Sequence, residues 1–313
     1  GEIKDWKARE IVAALETDAD ITVTTGARAA GKVILLGEHG VVYGKSALAL
    51  PIHDAVGVSL TDADELLHDL PEEFVACLLN ELGVDDTRVR ININSRLPFG
   101  KGLGSSAAIA VAIARAFNER SSLGLDEDGI NAIAFASEKL AHGTPSGVDN
   151  TVATFAEALL FRNDKELHIE PLAIDSLPPL LIAWGYETGK TSEMVAGVRA
   201  RHDQAPTQFA AIFEQMDVLS REGAEQLRAG AWHELGAAMN VCHGLLNAIG
   251  VSTPGLEHMV TLARQNGAAG AKLTGAGGGG SIVALCPDGV ERVEKAMREA
   301  GYHTLVPDER EAS

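Results

Sequence analysis

The chain has 313 residues, 46% of them hydrophobic and 22% charged, and its 44 acidic against 26 basic residues give a formal net charge of −18. That composition fits a globular protein of about two domains and excludes a disordered or fibrous one. So acidic a surface argues against nucleic acid or an anionic membrane as partner, because both require clustered positive charge. It also repels any anionic substrate at long range.

The three cysteines, Cys77, Cys242 and Cys286, are odd in number and widely spaced, which argues against a disulfide framework or a CxxC metal site. Residues 1–6 lack the basic-then-apolar layout of a secretory signal, and no apolar run reaches about 18 residues. The expectation is a soluble cytoplasmic protein.

Along the chain, the residue pattern predicts strands over 21–25 and 33–36, then strand-like segments at 41–42 and 47–50 around a turn at 43–45. A helix over 71–82 starts at Pro71 and places Phe74, Cys77 and Leu78 on one face. Residues 89–94 alternate as a half-buried strand. The Gly-rich stretch 98–106 follows, and then an Ala-rich helix whose N-terminus opens at Ser105 and Ser106. A second helix covers 126–141, and residues 143–147 break the pattern. Residues 163–170 read as a hairpin tip.

The later pattern differs. It predicts a strand at 180–185, helices at 192–201, 208–228 and 232–249, and a helix with Thr253 as N-cap and Pro254 in its first turn. Strand 270–274, a Gly-rich turn at 275–280, strand 281–286, helix 289–300 and strand 303–306 complete it. The order β, helices, β, β, α, β is the ferredoxin-like order with an enlarged first helical connection. The fold class is α+β, with domains over 1–175 and 176–313.

Two stretches imitate a Walker A loop, G-x-x-x-x-G-K-[ST]. Residues 26–33 (GARAAGKV) place Val33 where a hydroxyl belongs and run into a strand. Residues 185–191 (GYETGKT) are one residue short between the glycines. The loop 100–106 is the stronger anion signal. Gly102 and Gly104 let backbone approach a ligand, Lys101 adds charge, and the following helix aims free N–H groups into the loop. Ser105 or Ser106 either caps that helix or binds a metal, and the two roles are compatible. Glu138 and Asp149 flank the 143–147 break and suggest a metal ligand and a base, although a solvated surface acid is the plainer reading of each. His39 and His142, each alone, read as structural. The turn 275–280, with five glycines in six positions, is either a long flexible hairpin loop or a loop lying against a ligand.

Three segments in this order resemble the motifs of the GHMP kinases, the family of galactokinase, homoserine kinase, mevalonate kinase and phosphomevalonate kinase. They are GKVILLGEH (31–39), PFGKGLGSSAA (98–108) and KLTGAGGGG (272–280). The segment EKLAHGTPSGVDN (138–150) carries a Glu and an Asp eleven residues apart. Within the family, GEHGVVYGKSALALP (37–51), HGTPSGVDN and GKTSEMVAGVR (189–199) are similar to its mevalonate-phosphorylating branch. Ala30 departs from the usual proline before Gly-Lys.

The resemblance implies an N-terminal α/β domain with a left-handed β-α-β-type phosphate-loop region and a C-terminal ferredoxin-like domain. It implies ATP and Mg²⁺ as cofactors and mevalonate as the small-molecule substrate, phosphorylated on its 5-hydroxyl. Asp149 would be the base and Lys32 its partner. Glu138 and Ser106 would hold the metal. Lys101, Gly102, Leu103, Gly104, Ser105, Ser106, Gly277 and Gly278 would bind the nucleotide, and Glu38, His39, Ser146, Gly147, Thr191 and Thr274 would bind the substrate. Another small-molecule kinase of the family, or a catalytically silent nucleotide and metabolite sensor, is the alternative; a homodimer is compatible with the sequence. Lys32, Lys101, Lys190 and Lys272, four of ten lysines, lie in or beside these motifs, so a local cationic, metal-loaded pocket in an acidic body is expected.

Overall fold

The computed structural model describes residues 26–85, 88–142, 145–165, 167–174, 176–187 and 189–307. The strand expected over 21–25 lies outside the described residues. The chain divides into two compact units that interleave in sequence. Among the described residues, 33–50 and 100–103 group with those from 157 to 307, and the rest form the other unit.

The first unit contains the start of β1 (Ala27–Leu36), the second part of β2 (Ser46–Asp62), β3 (Val89–Ser95) and four helices: α1 (Glu72–Leu82), α2 (Ser105–Ser121), α3 (Glu127–His142) and α4 (Val148–Phe155). β2 and β3 pair antiparallel from Val56↔Ser95 to Asp62↔Val89. α2 is the central element: every residue from Ala107 to Ala114 is buried, as in a helix that is apolar all round. It packs against α1, α3 and α4. The Arg115 guanidinium donates to the carbonyls of Arg28 and Thr154, each at 2.6 Å, and to Glu127, so one charged residue of α2 ties β1, α3 and α4 together.

The second unit contains antiparallel strands in two groups. The start of β2 pairs with β4 (Leu159–Asn163) from Ser46↔Arg162 to Ala49↔Leu159, and β4 pairs with β5 (Leu167–Pro171). A separate sheet has the order β7 (Gly270–Thr274), β8 (Ser281–Leu285), β6 (Leu180–Trp184), β9 (His303–Leu305), which is the expected ferredoxin-like arrangement. The long connection between β6 and β7 holds α5 (Thr191–Gln204), α6 (Pro206–Arg228), α7 (Trp232–Ala248) and α8 (Pro254–Gln265); α9 (Glu291–Glu299) lies between β8 and β9. α7 and α8 pack on β7, and the core joins Ile182, Leu273 and Val283 to Met239, Leu246 and Val260. Thr253 caps α8 as expected: its side chain accepts from the Leu256 N–H.

Two local expectations are corrected. Residues 40–43 form a 3₁₀ turn rather than a strand, with Gly44 left-handed after it. The apolar segment beyond is one 17-residue strand, β2, that continues through Pro51 and accommodates Asp54 at φ 47.

Candidate active site

In the first unit the site grows from the N-terminus of α2. No side chain caps this helix. Its N-cap is Gly104 at φ 71, and Ser105 and Ser106 are its first two helical residues. The capping expectation fails because the N-cap backbone is left-handed, a conformation glycine takes without penalty and serine does not. A Cβ on Gly104 would lie 2.9 Å from Lys32 Cγ and 3.4 Å from its backbone nitrogen, so the missing side chain lets the loop rest on Lys32. The first-turn N–H groups of α2 have no partners within the helix, which suits an anion.

Lys32 is 4% exposed, and its Nζ lies 3.2 Å from Asp149 Oδ1. Asp149 is the second residue of α4, a short helix that the residue pattern does not announce. The turn before it is set by Gly147 at φ 91, by the Val148 N–H donating to Ser146 Oγ at 3.4 Å, and by Thr151 Oγ1 donating to the Gly147 carbonyl at 2.7 Å. Beside Asp149, buried Asn150 donates to Asn131 Oδ1 at 2.6 Å and locks α4 to α3. Glu138, on α3, is 3% exposed and hydrogen-bonds the Ser106 side chain. Burial, and then the neighbouring Asp149 carboxylate, push its pKa up to about 7, against the pull of Ser106 and Lys32. Residues 32, 106, 138 and 149 thus come together in one cluster.

The donors in this cluster fit Mg²⁺. Glu138 and Ser106 offer hard oxygens, and two carboxylates face one ammonium, a balance that a divalent cation would complete. Among the described residues no group of three or more His, Cys, Asp or Glu could hold a metal ion alone. Glu138 and Ser106 would supply two protein oxygens, in keeping with Mg²⁺ sites that rely on few protein ligands beside substrate phosphates.

In the second unit the strand β7 and the loop after it grip the end of β1. Thr274 Oγ1 accepts from the Ile34 N–H at 3.1 Å and donates to the Ile34 carbonyl at 3.2 Å. Lys272 and Glu38 form a fully buried ion pair. His39, at φ 59, donates from Nε2 to the Ala276 carbonyl at 2.9 Å, and burial lowers its pKa. A Cβ on Gly102 would come within 3.1 Å of the Thr274 carbonyl; a Cβ on Gly277, at φ 77, would come within 2.3 Å of the Val251 carbonyl. The loop 275–280 is therefore a packed loop, with the Gly278 N–H on the Val251 carbonyl at 2.8 Å and the Gly280 N–H on the Glu187 carbonyl at 3.1 Å.

The four motif lysines have separate partners. Lys101 Nζ donates to the carbonyls of Gly185 at 2.7 Å and Glu187 at 2.6 Å, and burial lowers its pKa. Lys190 is exposed, 3.4 Å from Glu193, and Thr191 opens α5 with its side chain exposed. Of the four, Lys32 is the lysine in contact with the Asp149 cluster. Leu103 is fully buried. The first Walker-like stretch runs along β1, where no helix follows a loop. The side chain of His142 lies outside the described residues. The anchoring residues Arg115 and Asn131 belong to no motif, whereas Asn150 closes the 138–150 segment; a lone arginine in an otherwise Ala- and Ile-rich run is the available sequence signal for the first.

Known proteins share this sequence pattern and fold. Residues 69–157 match the GHMP kinases N terminal domain, and residues 224–303 match GHMP kinases C terminal. A mevalonate kinase of Pyrococcus furiosus is 33% identical, covering 90% of this chain and 95% of its own, and one of Pyrococcus horikoshii is 36% identical, covering 88% and 92%. The crystal structure of L. major mevalonate kinase in complex with R-mevalonate superposes with a TM-score of 0.81 at 31% identity, over 91% of this chain and 97% of that one. By these likenesses the chain belongs to the GHMP kinase family and, within it, resembles the mevalonate kinases.

Proposed function

We propose that the chain transfers the γ-phosphoryl group of ATP to the 5-hydroxyl of mevalonate, giving 5-phosphomevalonate and ADP. The observation that carries this reading is the cluster of Lys32, Ser106, Glu138 and Asp149, assembled from four separate places in the sequence.

Phosphoryl transfer depends on positioning and charge neutralisation more than on covalent chemistry by the protein. Asp149 takes the proton of the 5-hydroxyl as the oxygen–phosphorus bond forms and the bond to the ADP oxygen breaks. Lys32, 3.2 Å from that carboxylate, offsets negative charge on the reacting oxygens. Glu138 and Ser106 would hold Mg²⁺, which supplies charge neutralisation on the phosphates when bound. The N–H groups at Gly104, Ser105 and Ser106 receive phosphate oxygens, with Lys101, Gly102 and Leu103 shaping the same loop and Gly277 and Gly278 lining the nucleotide. Glu38, His39, Thr274, Ser146, Gly147 and Thr191 serve the substrate. The division into domains 1–175 and 176–313 is part of the proposal, supported by family matches that fall on either side of residue 175. So is a cytoplasmic location; among the described residues no helix is long and apolar enough to cross a membrane.

A coupled ADP-release assay with mevalonate, galactose, homoserine and phosphomevalonate tests the substrate. Turnover with mevalonate well above the others is expected. Turnover with another alcohol and none with mevalonate overturns the reading.

A further inference from the structure

Lys272 is the most completely buried charge among the described residues, with no exposed surface, and it takes no part in the phosphoryl transfer proposed for the Asp149 cluster. Its ammonium has three partners: Glu38 Oε1, the Leu273 carbonyl at 2.6 Å and the Ile34 carbonyl at 3.4 Å. An ammonium with three donors is thus fully engaged. A buried cation of this kind persists only beside a compensating anion.

The groups around the pair do not share its charge. Burial lowers the pKa of His39 and of His243, so both favour the neutral ring near pH 7. Burial pushes the Cys242 thiol up to about 11, with Lys272 and Glu38 acting on it in opposite directions. His243 is engaged elsewhere, since its Nδ1 accepts the Leu273 N–H at 3.4 Å and its Nε2 lies 3.2 Å from Glu257. Lys272 and Glu38 therefore form a closed ion pair among neutral neighbours.

The pair also fixes geometry. β7 meets the end of β1 at Lys272–Glu38, Lys272–Ile34 and Thr274–Ile34, and His39–Ala276 adds a fourth tie one residue beyond Glu38. We propose that Lys272 is a positioning residue for substrate recognition: it acts through Glu38, holding one carboxylate oxygen in place and cancelling a charge that would otherwise repel an anionic hydroxy acid. This rests on the proposed mevalonate phosphorylation.

The test is a cycle of Lys272→Met, Glu38→Gln and the double variant, with Lys272→Arg as the conservative replacement, measured by ADP release and thermal melting. Lys272→Met is expected to raise the KM for mevalonate about tenfold or more while the KM for ATP stays within twofold, and Lys272→Arg to recover most of that loss. In the Glu38→Gln background, Lys272→Met is expected to change the mevalonate KM by less than twofold, because its route of action is already gone. If Lys272→Met does not fold, the double variant, which removes both buried charges, carries the comparison with Glu38→Gln. Equal shifts in the two KM values, no recovery with arginine, or the same fold-change in both backgrounds overturns the role of Lys272. Wild-type protein inactive on mevalonate overturns the functional reading instead, whatever the variants do.

Discussion

Replacing Gly104 by alanine tests whether the loop proposed to bind phosphate and the proposed Lys32–Asp149 reacting pair are one mechanical unit. Gly104 sits at φ 71, and a Cβ there would lie 2.9 Å from Lys32 Cγ. Ordinary carbon–carbon contact is about 3.5–4.0 Å, so Lys32 must yield by roughly 0.6–1.1 Å. Left-handed alanine costs about 1–2 kcal/mol relative to its right-handed form, and at about 2–4 °C per kcal/mol that lowers Tm by several degrees. Gly83 supplies the control: it has φ 64, with nothing within 4 Å of an added Cβ. Gly83→Ala carries the backbone strain without the clash. Misplacing a catalytic group by about 1 Å costs up to about 10²-fold in rate. Gly104→Ala should therefore melt no higher than Gly83→Ala, while kcat falls about 10- to 100-fold in Gly104→Ala alone. Steady-state ADP release and thermal melting on both proteins decide it. A Gly104→Ala enzyme with kcat within twofold of wild type refutes the coupling of loop to Lys32.

The other predictions concern the same cluster. Asp149→Asn should lower kcat by about 10²–10⁴-fold, the usual range for a general base; near-normal turnover would remove it as the base. Glu138 has a folded pKa of about 7, above its usual value, so the metal-free protein loses stability from this group as pH rises from about 4.5 to 7 and holds level above that. The Tm of Glu138→Gln minus that of wild type, measured without divalent ions, should grow across that window; a constant gap contradicts the shift. Ser106→Ala should raise the Mg²⁺ concentration for half-maximal activity by about tenfold, and Ser105→Ala should change it far less, since Ser106 is the serine bonded to Glu138.

Much of this architecture is readable wherever local chemistry decides it. Strand 270–274 and the Thr253-capped helix match the pattern because glycine punctuation at a strand's ends and a capping side chain are local signals. The start of α2 departs from the pattern because serine is a common N-cap, whereas here the backbone must turn left-handed over Lys32, a tertiary requirement. α4 escapes pattern reading since its eight residues follow a Gly- and Pro-rich break that reads as loop, yet it carries Asp149. The motif lysines look alike in sequence. Burial separates them: Lys32 meets Asp149, Lys101 serves backbone carbonyls, Lys272 is matched by Glu38, and Lys190 stays at the surface. The local cationic pocket expected from four lysines therefore reduces, around Asp149, to one lysine, which makes the Glu138–Ser106 oxygens the natural place for the remaining positive charge to enter as metal.

Phosphoryl transfer to the 5-hydroxyl is tested most directly by phosphorus NMR of the product formed from mevalonate, ATP and Mg²⁺. The expected product is a single phosphomonoester whose phosphorus couples to the two protons of a primary carbon, the 5-position. A phosphate on the tertiary 3-hydroxyl, which lacks that coupling, or ATP consumed with no phosphorylated mevalonate, would contradict it.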